Sequence, residues 1–178
     1  GITLFAGETF TQCPLTVDHA VLLDMIHNIK CGLITDGTAV GMGIANAVTR
    51  LKDSKAKSKV IILLTDGTNN KGDISPMTAA EIAKSFGIRV YTIGVGTNGM
   101  APYPYPVGNT VQYVSMPVEI DEKTLTEIAG TTDGNYFRAT SNSKLKEVYE
   151  EIDKLEKTKL NVKEYSKRDE EYHWFALA

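Results

Sequence analysis

The chain has 178 residues and a mass of 19.4 kDa, room for one domain and tight for two. Hydrophobic residues make up 42%, enough for a sizeable core and too many for a disordered chain. A net charge of -3 argues against a dedicated nucleic-acid binder, and two cysteines fit neither a disulfide scaffold nor a zinc pattern.

Ile2 to Ala6 is a short apolar run that predicts a strand. Gly7-Glu8 reads as a turn, and Thr9 to Cys13 as an antiparallel return ended by Pro14. Asp18 or Thr16 can cap a helix with Leu22, Met25, Ile26 and Ile29 on one face. The loop Ile34-Thr35-Asp36-Gly37-Thr38 leads to a second helix, with Val40, Ile44, Ala47, Val48 and Leu51 aligned. Gly41 and Gly43, in its first turns, permit close approach of another backbone.

Val60 to Leu64 is continuously apolar and β-branched, as a parallel strand covered on both faces would be, and it stops at Thr65-Asp66-Gly67. Ser75-Pro76 opens a helix with Ala79, Ile82, Ala83 and Phe86 inward. Arg89 to Gly96 is the next strand. Asn98 to Asn109 holds three prolines and predicts a loop, with Val111 to Val118 extended after it. Asp121 caps a helix carrying Leu125, Ile128 and Ala129, and Asn135 to Arg138 is a last short strand. Ser141 or Asn142 caps a long helix with Leu145, Val148, Tyr149, Ile152 and Leu155 on one stripe.

Strands alternating with helices predict an α/β fold, a doubly wound and mostly parallel sheet with helices on both faces. Lys154 to Glu171 mixes acids and bases and reads as a solvated helix extension or linker. No window reaches the roughly 18 consecutive apolar residues of a membrane span. The aromatic-led run from Tyr172 to Ala178 reads equally as a frayed tail or as the first turns of a membrane helix.

Doubly wound sheets bind ligands at the carboxyl ends of their strands. Two oxygen-rich loops are candidates for that edge, Thr35-Asp36-Gly37-Thr38 and Thr65-Asp66-Gly67-Thr68-Asn69-Asn70. Hydroxyls with one or two carboxylates suit Mg²⁺, although an isolated Asp-Gly pair ordinarily makes only a turn or a cap. Gly-x-Ser-x-Gly and the phosphate-loop pattern are both absent. His19 and His27 lie too far apart along one helix to share a metal, and Cys13 and Cys31 read as buried free thiols in preference to a disulfide. A hydrolase would need a base near Asp66, and only Asp36 and Asp73 come into question, so the chain reads as a non-enzyme.

Val60-Ile61-Ile62-Leu63-Leu64-Thr65-Asp66-Gly67, followed by Val90-Tyr91-Thr92-Ile93-Gly94-Val95-Gly96, strongly resembles the von Willebrand factor A domain. Asp36-Gly37-Thr38-Ala39-Val40-Gly41 is similar to that family's metal-site threonine loop. Phe5-Ala6-Gly7-Glu8, the run from Thr11 to Asp18, and Gly134 to Ala139 resemble the BatA-type membrane proteins of the Bacteroides aerotolerance operon.

The resemblance implies a Rossmann-like domain over residues 1–157 and an extension over 158–178 leading toward a transmembrane helix. It implies a metal-ion-dependent adhesion site, in which Thr38 and Asp66 match two ligands of a Mg²⁺-like divalent cation. The family's Asp-x-Ser-x-Ser motif is not present, so the resemblance implies an N-terminally truncated domain. This fragment is then expected to bind the cation weakly or not at all, with two strand edges left facing a gap. The implied role is a protein-interaction module with a part in aerotolerance, anchored in the inner membrane with the domain on the periplasmic side. The implied partners are other Bat-family membrane proteins and a MoxR-type AAA ATPase. From the residues themselves, Asp36 and Asn69 are candidate partner contacts, as are Tyr103 and Tyr105, two tyrosines in the proline frame of Gly99 to Pro106 that otherwise reads as a rigid connector.

Overall fold

The computed structural model describes residues 1–30, 32, 34–96, 99–107, 110–118 and 120–175, with side chains except at 99, 101–104, 106, 116–118 and 160–175. Cys31, Asn98, Asn109 and the tail residues Ala176 to Ala178 lie outside the described residues.

Strands β1 (Ile2–Phe5) and β2 (Thr9–Cys13) form an antiparallel ribbon. Helix α1 (His19–His27) follows, then α2 (Val40–Leu51), β3 (Lys59–Thr65), α3 (Pro76–Ser85) and β4 (Ile88–Val95). A second ribbon, β5 (Gly99–Val107) and β6 (Thr110–Val118), precedes α4 (Glu122–Thr131), β7 (Tyr136–Ala139) and α5 (Asn142–Phe175). The central sheet runs β3-β4-β7, parallel throughout.

The two faces of that sheet are covered by different helices. Ile61 and Leu63 of β3 and Ile88 and Val90 of β4 meet Val40, Ile44 and Val48 of α2, the alanines of α3, and Leu125 and Ile128 of α4. The alternate residues Val60, Ile62, Leu64, Tyr91 and Ile93 face Val148 and Ile152 of α5. Strict alternation on a strand flanked by helices produces this division, and each fully buried Ile or Val contributes about 1.5–3 kcal/mol. The expected doubly wound α/β architecture is present.

No strand lies between β1 and β3 among the described residues, and the two belong to separate sheets. Helix α2 spans the interval. It packs against β1, β2 and β3 together. On the ribbon side Gly43 meets the Phe5 ring, and Thr11 Oγ1 donates to Asn46 Oδ1 at 2.9 Å.

Three elements differ from expectation. Helix α1 exists and is capped by Asp18, but it buries no residue fully; Leu22 and Met25 are half-buried while Ile26 and Ile29 are exposed. Among the described residues it packs on β2 of the two-stranded ribbon, too narrow a surface to cover an apolar stripe. In α3 the inward residues are Ala79, Ala80 and Ala83, with Ile82 and Phe86 exposed. The close α2–α3 contact admits only small side chains. The proline-rich segment expected as a loop is strand β5, with its prolines at alternate positions.

Helix α5 runs without a break from Asn142 to Phe175, started by Ser141, whose Oγ accepts from Lys144 N at 3.2 Å. It is fastened at the amino ends of β3 and β4. Glu156 accepts from Tyr91 Oη at 2.7 Å and from Ser58 Oγ at 2.8 Å, and it pairs with Arg89. Burial would raise the Glu156 carboxyl, but the bonds from Tyr91, Ser58 and Arg89 outweigh it and hold it below the ordinary glutamate range. Burial and the bond to Glu156 push the Tyr91 phenol up to about 12. Lys159 closes the cluster, 5.9 Å above the Tyr91 ring and donating to Asp133 O at 3.0 Å. Part of the stretch expected as a solvated extension is therefore structural.

Glu156→Gln is expected to lower the unfolding free energy by about 1–3 kcal/mol, measured by urea denaturation at neutral pH. The folded carboxyl titrates below its unfolded value, so its contribution is complete above that value of about 4.3 and drains as pH falls through the lower folded value. The variant should lose less stability than wild type across that acid range.

Candidate functional site

The site residues sit where β1 and β3 end. Ala39 N donates to Ala6 O at 2.7 Å and Gly7 N to Thr35 O at 2.7 Å, which fastens the Thr35–Thr38 loop to the end of β1. The loop after β3 reaches it from the other side. Asn70 Oδ1 accepts from Thr38 N and Asn69 Oδ1 from Val40 N, both at 2.9 Å. Asn70 N returns a bond to Thr38 O at 3.0 Å.

One of these bonds also caps α2. Ala39 at its N-cap has no capping side chain, and Asn69 satisfies the first helical amide, that of Val40, from a distant loop. Close approach of the backbones completes the clasp. A Cβ at Gly41 would lie 2.0 Å from Ile74 O, so only glycine fits there. The reading of Gly41 as a point of backbone approach holds, whereas Gly43 meets a side chain.

Thr38 and the Thr65-Asp66-Gly67 turn are thus brought together. A Cβ built on Gly67 would stand 3.3 Å from Thr38 Oγ1. Thr65 Oγ1 braces the turn, accepting from Gly67 N at 3.3 Å. Thr38 is half-buried; Asp66 and Asp36 are exposed at the rim.

The donor chemistry, one hydroxyl and one carboxylate flanked by glycine, fits part of a hard-cation site. It does not complete one. Among the described residues no three His, Cys, Asp or Glu side chains could hold an ion together. Asn69 and Asn70 direct their amide oxygens to the backbone. Asn69, a candidate partner contact in the sequence, sits here as a cap. An Asn-Asn pair straight after Asp-Gly-Thr, opposite a helix start lacking its own cap, is the pattern that could have disclosed this role.

Tyr105 and Tyr103 are not at this edge of the central sheet. They lie on β5, in the separate ribbon; the Tyr105 side chain is exposed and that of Tyr103 is outside the described residues.

The sequence matches the von Willebrand factor type A domain over residues 1–151, and the chain belongs to that family. Among solved structures it is similar to BatB of Bacteroides thetaiotaomicron, at 32% identity and a TM-score of 0.71, covering 87% of this chain and 78% of that one. It is also similar to an aerotolerance-related membrane protein of Bacteroides fragilis, at 30% identity and a TM-score of 0.69, covering 85% and 77%. A proximal thread matrix protein from mussel byssus, described with a zinc-occupied MIDAS motif, matches at 27% identity and a TM-score of 0.63. That match covers 86% of this chain and 33% of the mussel protein.

The chain spans about half the length of the curated relatives it matches. One is a UPF0353 protein of Mycolicibacterium paratuberculosis, 36% identical over 164 residues, 84% of this chain and 45% of the relative. No helix among the described residues is long and apolar enough to cross a membrane.

Asn69→Ala leaves the Val40 amide uncapped while sparing Thr38 and Asp66. It is expected to cost about 0.5–2 kcal/mol with an unchanged denaturant slope, measured by urea titration.

Proposed function

We propose that the domain is a non-enzymatic interaction module of a membrane-anchored Bat-type protein, in which Thr38 and Asp66 are two ligands of a divalent-cation site used to capture a partner. The juxtaposition of the Thr38 hydroxyl with the Asp66-Gly67 turn is the observation that carries the reading. Each comes from a different sheet edge, and the asparagine clasp holds them together. Asp66 would bring the negative charge, Thr38 a neutral oxygen, and Gly67 the clearance for an ion between the loops. A bound Mg²⁺ or similar cation would supply a positive centre able to take an Asp or Glu of the partner, making binding metal-dependent. Asp36, exposed beside Thr38, would lie at the rim of that contact.

Further ligands belong to the whole protein in this proposal, together with its anchor in the inner membrane and a periplasmic placement of the domain. Other Bat-family membrane proteins and a MoxR-type AAA ATPase are the proposed partners, with a part in aerotolerance. The likeness to the two Bacteroides proteins supports this reading.

In the full-length protein, Asp66→Ala is expected to abolish capture of the partner as fully as a chelator does, with unchanged thermal stability. Capture unaffected by both treatments would make the domain a scaffold with a vestigial site. The 178-residue chain alone should show no tight, stoichiometric Mg²⁺ binding by calorimetry; a tight site would overturn the assignment of the remaining ligands to residues elsewhere.

A further inference from the structure

The β5–β6 ribbon has two edges of opposite character. Its register pairs Pro102 with Ser115, Pro104 with Tyr113 and Pro106 with Val111. Proline has no N–H, so the ladder bonds must come from Ala101, Tyr103, Tyr105 and Val107, and the prolines occupy the outward-facing positions of β5. That edge has lost its donors over most of its length and cannot pair with another strand. On β6 the outward positions are Val111, Tyr113 and Ser115, each keeping its N–H and C=O. Pro117, next in the same series, ends the open stretch. Among the described residues no strand covers it.

The side chains around the open edge are also bare. Tyr113 is 72% exposed, and Val111, Val114 and Tyr105 are exposed beside it. From Gly99 to Val118 the sequence holds no Asp, Glu, Lys or Arg, so the charges that ordinarily guard a free edge are missing.

We propose that this edge is a homodimer interface, in which β6 of one copy pairs antiparallel with β6 of a second copy about a two-fold axis through Tyr113. The register is self-complementary. Tyr113 faces its own counterpart, and Val111 faces Ser115 of the other copy, all at positions whose N–H and C=O point outward. An uncharged edge meets itself without repulsion and offers no charge by which a different partner would be selected. The proline-blocked edge of β5 then closes the assembly as a four-stranded sheet, since neither outer edge can add a further strand. This inference is independent of the Thr38–Asp66 site.

Sedimentation of the full 178-residue chain tests it. A reversible, concentration-dependent dimer is expected. Tyr113→Pro removes the central outward N–H while leaving the ladder to β5 intact, and should weaken the dimer by about tenfold or more with the same circular dichroism. Tyr113→Lys places like charges across the axis, and should give a weak dimer that tightens as salt is added. Tyr113→Cys should cross-link two copies under mild oxidation, because directly paired strand residues stand about 5.5 Å apart between Cα atoms, within disulfide range. A chain that stays monomeric at high concentration overturns the proposal. So does a dimer whose affinity neither Tyr113→Pro nor Tyr113→Lys changes, since association would then run through another edge.

Discussion

The structure turns on helix α2, the element that holds two separate sheets to each other. Among the described residues no backbone ladder joins β1 to β3. Packing of α2 makes the connection. Ile44 and Val48 sit in the core over β3 and β4, Gly43 presses on Phe5 of β1, and Asn46 and Arg50 reach the threonines of β2. Side-chain packing of this kind is strong but less directional than a ladder, so the helix must also be fixed at its end. The Asn69–Asn70 clasp and the contact of Gly41 with Ile74 do that.

This arrangement explains where the candidate site lies. Thr38 is attached to the ribbon through Ala39 and Ala6, while Asp66 belongs to the central sheet. Their separation is therefore set by α2 and the clasp, and the site straddles the seam between two sheets. The opposite end of the molecule is built on another principle. There a carboxylate on α5 gathers Arg89, Tyr91 and Ser58, anchoring the long helix at the strands' amino ends, remote from Asp66.

Much of the fold was legible in the residues. The apolar run ending in Thr-Asp-Gly read as a covered parallel strand, and it is one; Ser75 and Asp121 cap the helices expected there, and of the paired alternatives Asp18 and Ser141 are the caps. Pairing the Thr38 loop with the Asp66 loop was legible through the resemblance, because spacing alone does not say which loops meet. The failures have physical causes. Three prolines in one segment signalled a loop, yet alternate prolines are compatible with an edge strand whose missing donors all face outward. Helix α1 and the outer face of α3 have the right periodicity, but the surface available to each is small. Glu156 looked like one charge among many in a mixed stretch; its place on the stripe of Val148 and Ile152, at helical steps of four, was the signal that it faces the sheet.

Amide hydrogen exchange on the intact chain tests most directly whether α2 and its clasp join the two sheets into one cooperative body. If they do, the amides of Thr38, Ala39 and Val40 exchange as slowly as those of Ile61 and Val90 in the central sheet, through the same opening reaction. Fast exchange at Thr38 to Val40, with β3 and β4 still protected, would show that the ribbon and its loop open on their own, and would contradict a preformed Thr38–Asp66 site.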